Sequence, residues 1–265
     1  MNDHRPGNSD GSADRSADQP AAQPAQLPAD QSVNDLAGNP AGIPAGKHTG
    51  KHAGKQHTEA PGDRLEPAHL PTVRQRLALR VLHLFGWRML YRPLPGPRGI
   101  VVVYPHTSNW DFLIGLVSKW AMDLPFRWLA KDSMFRLPVL GSWFRWLGGQ
   151  PVDRSAPQGM IRAQAQRMHA EEWYWLVITP EGTRGYRPVW KSGFYHLALE
   201  ARVPLVLVSL DYPNKVLDFT RHLWLTGDQE QDLAAIRAAY AGREGKHPEN
   251  AAPIVLGERR KDARD

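Results

Sequence analysis

The chain has 265 residues, a formal net charge of +6 and no cysteine, which excludes disulfides, thiolate metal sites and a cysteine nucleophile. The first 70 residues hold 6 Lys+Arg against 9 Asp+Glu and no Trp, Phe or Tyr, leaving 27 against 18 and all 10 tryptophans to the remainder. The aromatic part is therefore basic and suits an anionic partner, whether a phosphorylated substrate, an anionic bilayer or nucleic acid.

Residues 1–66, rich in Ala, Pro, Gly, Gln, Asp and Ser, cannot bury enough apolar surface to offset their ordering entropy and read as a disordered polar extension. The first residues lack the basic-then-apolar pattern of a signal peptide. No run of about 18 uninterrupted apolar residues exists, so no spanning helix is expected. Residues 72–92 place Val73, Leu77, Val81, Leu84, Phe85, Trp87 and Leu90 at helical spacing, interleaved with Arg74, Arg76, Arg80, Arg88 and Arg92. That predicts a basic amphipathic helix, which either covers the core or lies in a membrane interface. It is assigned to a segment 67–96 set apart from a main domain over 97–245, with 246–265 as a polar C-terminal tail.

After the turn-rich PLPGPRG (93–99), GIVVVY (99–104) predicts a buried strand. Ser108 or Asn109 can cap a helix over 110–122, with Asp111 in its first turn. FRWLAK (126–131) predicts a second strand. MFRLPVLGSWFRWLGG (134–149) is apolar and aromatic with two arginines. A helix over 158–173, a strand in WLVITPEG (175–182), a helix over 192–202, a strand over 203–212 and a helix over 232–243 follow. Alternation of strands and helices predicts an α/β fold with a mostly parallel central sheet flanked by helices.

Chemistry in such a sheet collects at the carboxyl ends of its strands. VVVYPHTSNWDF (101–112) ends a strand on His106 and sets Asp111 five positions on. A neutral imidazole serves as a general base near neutral pH, and a carboxylate can hold its second nitrogen. The same spacing also fits a loop histidine beside a helix-start carboxylate. Ser108 invites a Ser–His–Asp reading, but no GxSxG turn occurs and the residue reads as a cap. In TPEGTR (179–184), Gly182 permits a tight turn, Glu181 and Arg184 flank the loop, and the Arg184 fork matches phosphate oxygens; an ion pair within a turn is the plainer alternative. GGQPVDR (148–154) ends on Arg154, a second candidate phosphate clamp or a solvated strand end. Lys191, in VWKSGF, either adds positive charge near an anionic substrate or faces solvent.

Taken together, these segments resemble the glycerolipid acyltransferases related to 1-acylglycerol-3-phosphate acyltransferase. PHTSNWD resembles their first block, a His and an Asp separated by four residues. GGQPVDR resembles the second, PEGTR the third residue for residue, and VPLVLVS (203–209) the fourth. The resemblance spans about residues 75–215 in the family's order. The chain departs from the family at Pro105, Thr179 and Ser209. The resemblance implies a membrane-associated enzyme that moves an acyl group from acyl-CoA or acyl carrier protein to the hydroxyl of a lysophospholipid. His106 would be general base and Asp111 its orienting partner. Arg154, Glu181, Gly182, Thr183, Arg184 and Lys191 would form the substrate site, with Glu181 orienting an arginine or an acceptor hydroxyl. No cofactor and no metal are implied, the acyl donor being a substrate.

Its partners would be the lysolipid acceptor, the acyl donor and the membrane surface, at the cytoplasmic face as a peripheral or monotopic protein. Nucleic acid is not expected, since no zinc pattern, helix-turn-helix or aromatic RNA motif accompanies the charge. Acylation of another lysolipid, such as a lyso-aminolipid or a headgroup lysophospholipid, and a non-catalytic lipid- or phosphate-binding module are the alternative readings. Trp120, Trp128, Trp143 and Trp146, interleaved with Lys119, Arg127, Lys131, Arg136 and Arg145, suit a headgroup layer.

Overall fold

The computed structural model describes residues 63–152 and 157–257. In chain order its elements are β1 (Asp63–Arg64), α1 (Val73–Leu84), β2 (Arg88–Tyr91), β3 (Arg98–Tyr104), α2 (Trp110–Met122), β4 (Arg127–Lys131), α3 (Pro138–Trp146), β5 (Gly149–Val152), α4 (Pro157–Ala170), β6 (Tyr174–Ile178), α5 (Gly193–Ala201), β7 (Leu205–Asp211), β8 (Val216–Leu223) and α6 (Gln229–Tyr240). They form one sheet in the order β1-β2-β8-β7-β3-β6-β4-β5. β5, β4, β6, β3 and β7 are mutually parallel, and β8 turns back antiparallel to β7.

β3 sits inside this sheet, with β7 on one flank and β6 on the other. Its side chains alternate between two apolar layers. Ile100 and Val102 pack with α4, α5 and α6, and Val101 and Val103 pack on the layer that holds α1 and α2. Burial on both faces explains why its sequence is a continuous β-branched run rather than an alternating one. β7 repeats the arrangement, with Leu205 and Leu207 on one side and Val206, Val208 and Leu210 on the other. Since β3, β6 and β7 are parallel, the loops that follow Tyr104, Ile178 and Asp211 emerge at the same edge.

Three expectations need correction. The helix expected over 72–92 stops at Leu84; Gly86 takes φ +80° and the chain then forms β2, paired with β8. Met89, Leu90 and Tyr91 are buried in that strand, so tertiary pairing overrides a local helical pattern. α1 itself is fixed by a capping box between Thr72 and Gln75 and buries Ala78, Leu79 and Leu82. The segment 67–96 is thus part of the sheet domain and not a separate helix. Of the expected disordered extension, Asp63 and Arg64 pair with β2 and Leu65 is buried; residues 1–62 lie outside the described residues. The polar tail expected from 246 is anchored as far as Leu256, which bridges Trp190, while Trp190 N–H donates to Val255 O at 2.7 Å.

Gly99 on β3 has no room for a side chain, because an added Cβ would lie 2.2 Å from the fully buried Trp175 ring of β6. Gly99→Ala should therefore lower stability by roughly 1–3 kcal/mol, the usual cost of overpacking a core, as read from urea unfolding. An unchanged midpoint would show that this seam can relax.

Candidate functional site

The β3 strand ends at Tyr104, the Tyr104–Pro105 peptide is cis, and His106 follows. Four residues on, Trp110 opens α2 and places Asp111 in its first turn, as the sequence predicts. The loop between them closes on itself. Ser108 N–H donates to Asp111 Oδ2 at 2.9 Å, and Trp110 N–H donates to Ser108 Oγ at 3.2 Å. Ser108 thus spends its hydroxyl on the helix start. The fold of this loop brings His106 Nδ1 to 3.1 Å from Asp111 Oδ2, an ion-pair distance without the alignment of a hydrogen bond. The Asp111 side chain is 1% exposed and the His106 side chain 13%, so the carboxylate is sealed in while one edge of the imidazole reaches solvent.

Asp111 has a further partner that the sequence did not single out. Tyr212, one residue past β7, donates its hydroxyl to Asp111 Oδ1. Its ring stands edge-on to Trp87 with centroids 5.0 Å apart, and its N–H donates to Glu244 O at 3.0 Å. Burial, and then the bond to Asp111, pushes the Tyr212 phenol far above its ordinary range, so it remains a donor. Both oxygens of Asp111 are therefore satisfied, and its position is set by β7 as well as by α2.

Glu181 is 2% exposed. Its Oε2 accepts from His106 N–H at 2.6 Å and its Oε1 from Ala252 N–H at 3.1 Å. Burial pushes this carboxyl above the usual range, and the bonds from Ala252 and His106 pull it back. The expected partner of Glu181 was an arginine or an acceptor hydroxyl. In the structure both carboxylate oxygens form a strut between the β3 loop, the β6 loop and the C-terminal segment.

Around this strut the β6 loop is tight. Gly182 N–H donates to Thr179 O at 3.0 Å and Lys191 N–H to Pro180 O at 2.9 Å. Gly182 takes φ +67°, and an added Cβ would meet Lys191 Nζ at 2.4 Å. Gly182 and Lys191 are thus brought together directly. Thr183 Oγ1 accepts from Gly185 N–H at 3.5 Å. Arg184 is exposed and makes no hydrogen bond or ion pair among the described residues. Arg154 lies outside the described residues. The arrangement offers a mostly buried imidazole backed by a buried carboxylate, with cations on the neighbouring loop: a site that can take a proton from a hydroxyl beside an anionic group.

Comparisons with known proteins agree with these segments. Residues 91–211 match the family described as Acyltransferase. A 1-acyl-sn-glycerol-3-phosphate acyltransferase of Cocos nucifera is 34% identical over 83 residues, 29% of this chain and 27% of that protein. Its counterpart in Limnanthes alba is 35% identical over 83 residues, 29% of this chain and 30% of that protein. The matched stretch thus spans less than a third of the length of these curated relatives. The solved structure of the 1-acyl-sn-glycerophosphate (LPA) acyltransferase PlsC from Thermotoga maritima superposes with a TM-score of 0.43 at 17% identity, over 65% of this chain and 80% of that one.

Glu181→Gln should cost roughly 1–3 kcal/mol of stability, because the amide keeps one acceptor and turns a donor toward the second N–H. Denaturant midpoints of the two proteins measure it, and equal midpoints would show that the strut carries no load.

Proposed function

We propose, for a chain whose residues 91–211 match the family described as Acyltransferase, acyl transfer from a thioester to the hydroxyl of a lysophospholipid at the site of His106. The observation that carries the reading is the 3.1 Å approach of His106 Nδ1 to a buried Asp111 oxygen, which leaves Nε2 as the ring nitrogen for the acceptor. A thioester is already activated, so no enzyme nucleophile is required. The acceptor hydroxyl attacks the thioester carbonyl while its proton passes to His106 Nε2. The C–S bond then breaks, the proton leaves the imidazolium for the departing thiolate, and an ester and a free thiol result. Asp111 holds the ring and favours the imidazolium, and Tyr212 holds Asp111. General-base help of this kind is worth roughly 10²–10⁴ in rate.

The donor in this reading is acyl-CoA or acyl carrier protein, and the default acceptor is 1-acylglycerol-3-phosphate, the acceptor that the relatives' name prints. Arg184, with Lys191 and Arg154, is assigned to the acceptor phosphate, since a guanidinium meets phosphate oxygens in pairs.

The same reading places the protein on a membrane surface, at the cytoplasmic face where such donors occur. Its support is a set of apolar side chains left in the open on two helices: Val73, Leu77 and Leu84 on α1, and Val139 (85% exposed), Leu140, Trp143 and Trp146 (73% exposed) on α3. A cleft of about 340 Å³ joins the two helices through Arg74, Lys119, Trp120, Asp123 and Trp146. Exposed arginines, among them Arg80, Arg136 and Arg145, border the patch. Apolar side chains with a basic rim suit a headgroup layer. Trp128, by contrast, packs inward against Phe112 and Phe144 and does not belong to that surface, while Lys119, in the cleft wall, donates to Leu147 O at 2.7 Å. No helix of the described residues is long and apolar enough to cross a membrane.

With a labelled acyl thioester and a panel of lysolipids, His106→Ala should abolish turnover, and Tyr212→Phe should lower kcat by about tenfold or more with little change in KM. Arg184→Ala should chiefly raise KM for phosphate-bearing acceptors. Full activity of His106→Ala would refute the assignment. In flotation with anionic liposomes, Val139→Asp combined with Trp146→Asp should leave most of the protein in the dense fraction, and undiminished flotation would remove α3 from the membrane surface.

A further inference from the structure

The segment that follows α6 lies beyond the family match, which ends at residue 211, yet it is tied to the site at one point after another. Arg243 reaches two buried carboxylates, Asp211 Oδ2 at 3.1 Å and Asp218 Oδ2 at 3.4 Å. Glu244 O accepts from Tyr212 N–H, the same tyrosine that holds Asp111. Gly245 is buried so close to the β3 loop that an added Cβ would lie 2.5 Å from Thr107 Oγ1 and 3.2 Å from Pro105 Cβ, the two residues on either side of His106. His247 N–H donates to Thr107 Oγ1 at 3.1 Å. Ala252 closes the strap, giving its N–H to Glu181 and accepting from the Tyr104 hydroxyl at 2.9 Å.

Lys246 of this strap points away from the core, toward Trp110. Lys246 is exposed, and its Nζ lies 5.3 Å from the centre of the Trp110 ring. Trp110 is itself 55% exposed and adjoins Asp111 in sequence. The backbone of Lys246 is fixed on both sides, by Gly245 against the loop of His106 and by His247 on Thr107. A tethered ammonium thus stands over Trp110 at the start of α2, on the strap that packs against the two neighbours of His106. We infer that residues 243–252 form a further wall of the active site and that Lys246 is a specificity-determining cation that reads the phosphate of the acceptor. The inference rests on the acyl-transfer reading for its substrate class, phosphate monoesters of lysolipids. The chemical case is charge. Asp111 and Glu181 are both acidic and buried beside His106, so a phosphate brought to this ring needs more than one cation to offset their repulsion. An ammonium serves as a point charge, and the ring face keeps it in place without consuming its donors.

The test is equilibrium binding, which does not depend on turnover. 1-acylglycerol-3-phosphate and a monoacylglycerol of the same chain length, each in neutral detergent micelles, are titrated into the wild type, Lys246→Ala and Lys246→Arg by calorimetry. The wild type should prefer the phosphate ligand. Lys246→Ala should lose about tenfold in affinity for it and bind the monoacylglycerol as before, while Lys246→Arg retains the preference. Equal affinity of Lys246→Ala and wild type for the phosphate ligand, an equal loss for both ligands, or a wild type without preference would each overturn the inference. Absence of acyl transfer in the thioester assay would instead count against the reading of the reaction.

Discussion

The carboxylate of Glu181 is the contact on which the rest of the site depends. A buried carboxylate must be satisfied by donors, and here the donors are two backbone amides far apart in sequence, those of His106 and Ala252. The bond to His106 N–H fixes the backbone from which the imidazole projects. The bond to Ala252 N–H fixes the end of the strap that packs against the same loop. A single side chain on the β6 loop thus sets the height of the imidazole and the position of the wall beside it. A site held in this way needs little reorganisation when substrate arrives, which is the usual structural source of positional catalysis.

The sheet makes that contact available. β3 and β6 are parallel neighbours with a continuous register from Arg98↔Tyr174 to Val102↔Ile178, so the residues that follow them reach the same edge. β7, on the other flank of β3, delivers Tyr212 to Asp111. The imidazole is therefore backed from both sides of its strand, by Glu181 through its backbone and by Asp111 and Tyr212 through its ring. The two apolar layers that clamp β3 keep this geometry stiff, because neither face of the strand is free to move.

Much of this was legible in the sequence for a physical reason. Strands buried on both faces announce themselves as unbroken β-branched runs, which is why β3 and β7 fall where the sequence places them, and α2 spans the expected 110–122. β2 and β8 were not read as strands. RMLY follows a helical pattern and carries an arginine, and VLDFTRHL mixes polar residues into a strand that neighbours β7 on one side and β2 on the other. The paired His106 and Asp111 were visible because their spacing is local. Tyr212 and Ala252 were not, since they reach the site through chain reversals that no local pattern encodes. The backbone partners of Glu181 are hidden for the same reason: the carboxylate lies within PEGTR, and the amides of His106 and Ala252 from which it accepts lie on distant segments.

The central claim, that Glu181 ties the imidazole loop and the strap together, is tested most directly by amide hydrogen exchange at His106 and Ala252 in the wild type and in Glu181→Ala. The account predicts slow exchange at both amides in the wild type and fast exchange at both in the variant, with the amides of β3 unchanged. Protection that persists at either amide in the variant would contradict it.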